Sequence, residues 1–335
     1  MMRLPKMDYI APNTAEEVCS LLNKYGQEAK VLAGGTDLLV ASKLGINKLG
    51  LIISLGKILD LKGIYEENGY FKIGAMTSLY EVRYNPFILN HYPALAEAAA
   101  AVGTMQLQHM GTLGGNLCLN TRCIYYNQSN RWRKSHAICF KMGGYVCHVV
   151  PKGKKCYAVF SGDIAPALIA LDAQVKLIRT GGERVVPVCE LYTGDGREPI
   201  ALQTGEILAE IRVPLPIGRQ YSIYLKYRQR GAIDFPLTGV AARAVINSYG
   251  ICNDFKLVLT AVDSAPREVF EARELLKGKT LSAEIISQVS QRAMEGAHPV
   301  ANTSGSTPAY RRKMARMLTL RALTSIAQSL SLVGV

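Results

Sequence analysis

The chain has 335 residues, of which 49% are hydrophobic and 19% charged, a balance that excludes a disordered segment and leaves room for about two folded domains. Lys and Arg number 39 against 26 Asp and Glu, a net charge of +13, and eight residues are Cys. A disulfide mini-protein, a collagen-like chain and a coiled coil are excluded. The opening segment has no apolar leader and no run is long enough to span a membrane, so the expectation is a cytoplasmic protein with no membrane partner.

Elements are read in chain order. Asn13-Thr14 is placed to cap a helix over 15–25, with Glu16 and Glu17 in its first turn. A short strand over 30–33 runs into Gly34-Gly35, and another strand covers 51–55. Residues 64–73 read as a hairpin, with helices near 78–85 and over 94–102. Residues 111–116 form a glycine loop. From 119 to 159 the text is polar and aromatic without clear periodicity. Pattern resumes with a helix over 164–171 and a strand over 174–179. Strands are expected at 206–213, 222–228, 239–247 and 255–261, and helices at 269–276, 283–295 and 308–330. The last carries Arg311, Arg312, Lys313, Arg316 and Arg321 among apolar residues, suiting a packing face on this chain or on a partner. The expected division is 1–180 (lobes 1–55 and 56–180, with an inserted loop at about 120–160), then 181–290, then a helical tail over 291–335.

Two loops rich in glycine carry the first functional signal. They are Lys30-Val31-Leu32-Ala33-Gly34-Gly35-Thr36-Asp37 and Gly111-Thr112-Leu113-Gly114-Gly115-Asn116. Glycines let successive backbone N–H groups converge on an anion, and Thr hydroxyls add donors. Neither loop has the Walker A or the G-x-G-x-x-G spacing, which disfavours a P-loop and a Rossmann NAD site. Two such loops could clasp the diphosphate of a dinucleotide. On that reading Gly114→Val expels the ligand, because its side chain takes the diphosphate's space.

A-G-G-T-D-L, then G-T-L-G-G-N, then Gly162-Asp163-Ile164-Ala165-Pro166-Ala167-Leu168, together with Gly205-Glu206-Ile207-Leu208 and Lys226-Tyr227-Arg228-Gln229-Arg230, resembles the flavoprotein subunits of molybdenum hydroxylases. The resemblance implies an α+β fold: an FAD-binding domain of the vanillyl-alcohol-oxidase (PCMH) type, followed by an α+β domain like that of CO dehydrogenase flavoproteins. It implies FAD, with Lys30 through Asp37 and Thr112 through Asn116 about the diphosphate. Asp163 would reach the ribose or adenine side, Leu208 and Lys226 the isoalloxazine end, and Val102 the pocket wall. One departure is Gln108-His109, where relatives usually carry Arg-Asn.

Cysteines are the second signal. Cys19, Cys189 and Cys252 are scattered and read as small buried hydrophobes. Cys123, Cys139, Cys147 and Cys156, with gaps of 15, 7 and 8 residues, lie in the aperiodic segment that most relatives lack. Four thiolates suit a [4Fe–4S] cluster or a zinc ion; paired short spacings typical of zinc are missing, and no ligand at all is the third option. C-x-Y-Y-N-Q, W-R-K and the later cysteines resemble the 4-hydroxybenzoyl-CoA reductase branch of the family. That resemblance implies these four as ligands of a [4Fe–4S] cluster. Cys118 is left as a buried thiol, and His136 and His148 as packing.

The implied role is electron transfer, from reduced ferredoxin through [4Fe–4S] and FAD to a [2Fe–2S] small subunit and a molybdenum-cofactor large subunit, for reductive dehydroxylation of the acyl-CoA, in a dimer of heterotrimers. No catalytic acid or base for substrate is expected in this chain. Rival readings are an oxidative flavoprotein delivering electrons to NAD, a zinc-stapled binding protein and a nucleic-acid module. The last is disfavoured because no basic stripe is interleaved with aromatics.

Overall fold

The computed structural model describes residues 3–47 and 49–333. Strands β1 (Asp8–Ile10), β2 (Ala29–Leu32) and β3 (Leu51–Ser54) form a parallel sheet with β3 in the centre. Parallel neighbours require crossovers. These are α1 (Ala15–Tyr25) before β2 and α2 (Leu38–Lys43) after it. Thr14 Oγ1 accepts from the Glu17 N–H while Glu17 accepts from the Asn13 N–H, a reciprocal cap that starts α1 at the expected residue.

The second sheet is antiparallel, in the order β4 (Ile64–Glu67), β5 (Tyr70–Gly74), β8 (Ile207–Pro214), β6 (Gln174–Arg179), β7 (Gly182–Pro187). The division expected after residue 180 therefore falls inside a hairpin, because β7 and β8 complete this sheet. Seven helices separate β5 from β6: α3 (Leu79–Tyr84), α4 (Pro86–His91), α5 (Pro93–Ala101), α6 (Met105–Met110), α7 (Leu113–Leu117), α8 (Asn130–Lys134) and α9 (Ile164–Ala170). The second glycine loop is thus not all loop: Thr112 caps α7 by accepting from the Gly115 N–H at 3.1 Å.

The third sheet is an antiparallel meander of β9 (Arg219–Tyr227), β10 (Thr238–Ile246), β11 (Cys252–Thr260) and β12 (Arg267–Glu268). Helices α10 (Phe270–Leu276), α11 (Ala283–Gly296) and α12 (Pro308–Val333) cover one face, and α5 and α9 cover the other. Side chains alternate across a strand. Ala241 and Val258 accordingly join Leu95 and Leu168 in one core, while Val240, Ala242, Leu257 and Leu259 join Leu276, Val289 and Leu323 in another. Both faces being buried, β10 and β11 read as nearly continuous apolar text. The basic tail helix packs on this chain through Arg311, which is 0% exposed. Its guanidinium donates to the carbonyls of Leu237, Val300 and Ala261, pinning α12 to the sheet.

Candidate functional site

The two glycine loops meet. A Cβ at Gly34 would overlap the Met110 carbonyl oxygen, so only glycine permits this approach between the segment after β2 and the end of α6. Gly35 has φ +73°, which turns the chain into α2. Among the described residues the N–H groups of Gly34, Gly35 and Thr36 have no protein acceptor. They form a set of unpaired donors of the kind that binds an anion.

The second loop differs from expectation. The Leu113 N–H donates to Thr77 O, the Gly114 N–H to Ala75 O, the Gly115 N–H to Thr112 Oγ1 and the Asn116 N–H to Thr112 O. Those amides are engaged by protein. A Cβ at Gly114 would lie 2.7 Å from Ala75 Cβ and 2.9 Å from Ala75 O, so close packing on Ala75 already requires glycine here. Leu113 is likewise 0% exposed in the core. The second loop buttresses the first, and Asn116 Oδ1 accepts from the Ile164 N–H to tie it to α9.

Asp163 and Lys226 were expected at opposite ends of the cofactor; the fold pairs them. Lys226 Nζ donates to Asp163 Oδ2 at 3.0 Å, and Tyr224 Oη donates to Asp163 Oδ1 at 2.6 Å. Lys226 also donates to Ala101 O, as does Arg228, which joins β9 to the end of α5 beside half-buried Val102. Burial pushes the Asp163 carboxyl up and the Lys226 ammonium down, each against the pull of the other's charge. Leu208 is 5% exposed in the core beneath the second sheet, and Lys30 and Val31 are half-buried on β2. Gln108 is buried too. It donates to Ala100 O and Val102 O and accepts from Arg83, so the departure at Gln108-His109 is a structural cross-link. His109 stacks on Tyr80 at 3.8 Å.

Three residues near these elements escaped sequence reasoning. Arg122 ion-pairs with Asp37, and its guanidinium lies 3.8 Å from the centroid of the Phe235 ring. Arg122 Nε and Ser161 Oγ are buried with no partner. Tyr224 had a signal: it lies two residues before Lys226 on one strand and so shares its face. Unpaired amides, orphaned buried donors and a close glycine contact fit the diphosphate and hydroxyl groups of a dinucleotide cofactor.

Beside the flavin loops lies the cysteine segment. Arg122 and Val159 close its neck through paired backbone bonds of 2.8 and 2.7 Å. Cys123, Cys139, Cys147 and Cys156 all line one cavity, with Tyr126, Lys141 and Val149. All eight cysteines are unbridged. The Val150 N–H donates to Cys147 Sγ at 3.4 Å. Burial pushes the Cys156 thiol up to about 11, against the pull of Lys141, and raises Cys123 as well. Lys141 donates to Asn120 Oδ1, Thr121 Oγ1 and Gly196 O, fastening the cavity to the body. Among the described residues no group of three or more His, Cys, Asp or Glu is arranged to hold a single metal ion. Cys118 stays outside the cavity, its thiol pushed up to about 12 by burial. His148 stacks on Tyr125 and His136 on Trp132, a small aromatic packing cluster.

Comparison with known proteins identifies the family. Residues 5–216 match the FAD binding domain in molybdopterin dehydrogenase, and 223–326 match the CO dehydrogenase flavoprotein C-terminal domain. The chain is 25% identical over 323 residues to the 6-hydroxypseudooxynicotine dehydrogenase complex subunit alpha of Paenarthrobacter nicotinovorans, covering 96% of this chain and 95% of that one. It is 27% identical to the carbon monoxide dehydrogenase medium chain of Hydrogenophaga pseudoflava, covering 96% and 97%. A solved carbon monoxide dehydrogenase structure from Hydrogenophaga pseudoflava superposes with a TM-score of 0.79 at 26% identity, over 96% of this chain and 98% of that one. The chain belongs to the FAD-binding flavoprotein family of the molybdenum hydroxylases: it is an oxidoreductase subunit that binds FAD. No helix among the described residues is long and apolar enough to cross a membrane.

Proposed function

We propose that this chain is the electron-inlet subunit of an enzyme of the 4-hydroxybenzoyl-CoA reductase type. It takes electrons from reduced ferredoxin and carries them toward a [2Fe–2S] small subunit and a molybdenum-cofactor large subunit, in a dimer of heterotrimers, for the reductive removal of a phenolic hydroxyl. The observation that carries the reading is the convergence of Cys123, Cys139, Cys147 and Cys156 on one cavity. They lie far apart in an aperiodic segment, without the paired short spacings typical of a zinc site.

When bound, a [4Fe–4S] cluster supplies one-electron capacity and FAD couples one- and two-electron transfer. The chain's own residues do the rest. The Cys147 sulfur receives a backbone N–H, and Lys141 lies beside Cys156, where its charge opposes the burial that raises that thiol. Tyr126 and Val149 help wall the cavity. Charge supports an acidic donor: from residue 98 to residue 162 there are eight Lys or Arg and no Asp or Glu. Arg131, Lys134, Lys152 and Lys154 are exposed there, a surface suited to steering an acidic electron carrier.

Cys139→Ser in the anaerobically purified complex tests the assignment. The expected result is the loss of four iron atoms per chain relative to the parent, with the [4Fe–4S] EPR signal gone, FAD retained and ferredoxin-coupled activity lost. Equal iron content in parent and variant overturns it. The relatives' names are those of dehydrogenases, which favours an oxidative second reading. Reduction of NAD by the complex with substrate, and no turnover with a low-potential donor, decides for that one.

A further inference from the structure

The residue that opens the cysteine segment reaches out of it. Arg122 sits one peptide bond before Cys123, and its own backbone N–H and C=O are both tied to Val159. Its Cα is therefore held while its side chain points away to the first glycine loop. There one guanidinium nitrogen meets the Asp37 carboxylate, and the guanidinium plane lies against the ring of Phe235. These two contacts hold the guanidinium without using all its donors. Nε is buried and donates to nothing. A buried guanidinium N–H without an acceptor is costly in a folded protein and points to a group still to come.

What that group is follows from the neighbours. Asp37 ends the Gly34–Thr36 segment, whose three N–H groups have no acceptor among the described residues. Those amides face an anion-binding role, yet the Asp37 carboxylate beside them repels an anion. A guanidinium paired with that carboxylate resolves the conflict: it neutralises the charge and offers a further donor, in the forked geometry that suits phosphate oxygens.

We propose that Arg122 is a diphosphate-binding residue of the FAD site, contributed by the cysteine segment and oriented by Asp37 and Phe235. The proposal rests on FAD binding, which the family establishes, and not on the iron–sulfur reading. It makes the residue just before the first cavity cysteine part of the flavin site, so one short stretch of chain serves both the flavin loop and the cysteine cavity.

The test is FAD affinity, followed by flavin fluorescence quenching on the deflavinated full-length protein. Arg122→Gln is expected to weaken FAD at least tenfold and riboflavin, which has no phosphate, less than twofold. Arg122→Lys should fall between parent and Gln variant, because one ammonium cannot serve Asp37 and a phosphate together as a fork does. Arg122→Gln with Asp37→Asn separates direct contact from simple neutralisation: the double variant is expected to stay at least fivefold weaker than Asp37→Asn alone. Return of the double variant to the affinity of Asp37→Asn reduces Arg122 to a partner of Asp37 and overturns the proposal. Equal FAD affinity in parent and Arg122→Gln overturns it as well. Thermal unfolding of each variant within a few degrees of the parent shows that the loss is local, and the iron content of the same samples reports separately on the cluster.

Discussion

At the scale of single residues, glycines of similar text have different tasks. Gly34 is required because the carbonyl of Met110 occupies the place of a Cβ, and Gly114 because Ala75 does. Gly34→Ala is expected to push the two loops apart, lowering FAD occupancy of the purified protein severalfold with a modest fall in thermal midpoint. Gly114→Val is expected to act on the fold first: overpacking in a core costs about 1–3 kcal/mol, so the unfolding midpoint drops even in protein stripped of flavin. A Gly114→Val protein with parental stability and no FAD would restore the steric reading of the second loop drawn from sequence. The reason for the difference is local. The second loop's amides are consumed by Ala75, Thr77 and Thr112, whereas those of Gly34, Gly35 and Thr36 have no protein acceptor among the described residues.

At the scale of elements, the second sheet is joined to its own connection by an ion pair. Arg184 on β7 donates through Nε and Nη2 to the two oxygens of Glu206 at 2.7 and 2.8 Å, and the Gln203 N–H donates to the same carboxylate. Burial alone pushes the Glu206 carboxyl up; the hydrogen bonds of Arg184 and Gln203 outweigh it and hold it below the usual range. A carboxyl whose folded-state value is depressed stabilises the fold above its unfolded value, and the contribution disappears as pH falls through the folded value. Glu206→Gln is therefore expected to be less stable than the parent at neutral pH and equal to it in acid below the ordinary carboxylate range. Urea unfolding at several pH values checks this, and a difference that grows toward acid would show that the pair does not stabilise the native state. The capping of α1 by Thr14 and the strand at Gln174–Arg179 were readable because their signals are local. β7 and α8 were not, since Gly182–Pro187 and Asn130–Lys134 carry no strong period of their own and form against neighbours.

At the scale of the whole molecule, the tail, the third sheet and the cysteine segment are one mechanical unit. Arg311 holds the carbonyls of Leu237, Val300 and Ala261 and approaches Asn302 Oδ1 at 3.3 Å. Asn302 in turn accepts from the Ile124 N–H and donates to Tyr157 O, bracketing the residues that follow Cys123 and Cys156. Burial pushes the Arg311 guanidinium down to about 10, with backbone carbonyls as its main partners. Arg311→Met leaves the Ala261 carbonyl without its donor, while Leu237 O keeps the Thr238 hydroxyl and Val300 O keeps the Asn302 N–H; an unsatisfied buried group costs about 1–3 kcal/mol, so a loss of about 2 kcal/mol is expected in urea unfolding of the full-length protein. A variant as stable as the parent would mean that the arginine's desolvation cancels its hydrogen bonds.

The excess of Lys and Arg, the eight cysteines, the two glycine loops and most helices and strands were all present in the linear text, because composition, caps and periodicity are properties of neighbouring residues. So was the membership of four cysteines in one segment. Tertiary structure alone decided which residues meet: Asp163 with Lys226 and Tyr224, Arg122 with Asp37 and Phe235, Gly34 with Met110. These partners are separated by many tens of residues, and no local pattern encodes which pair will be brought within hydrogen-bonding distance. The eight cysteines of the composition thus divide by position in space: four on one cavity, and four, led by Cys118, outside it. Ligand chemistry depends on convergence, and convergence is a property of the packed chain.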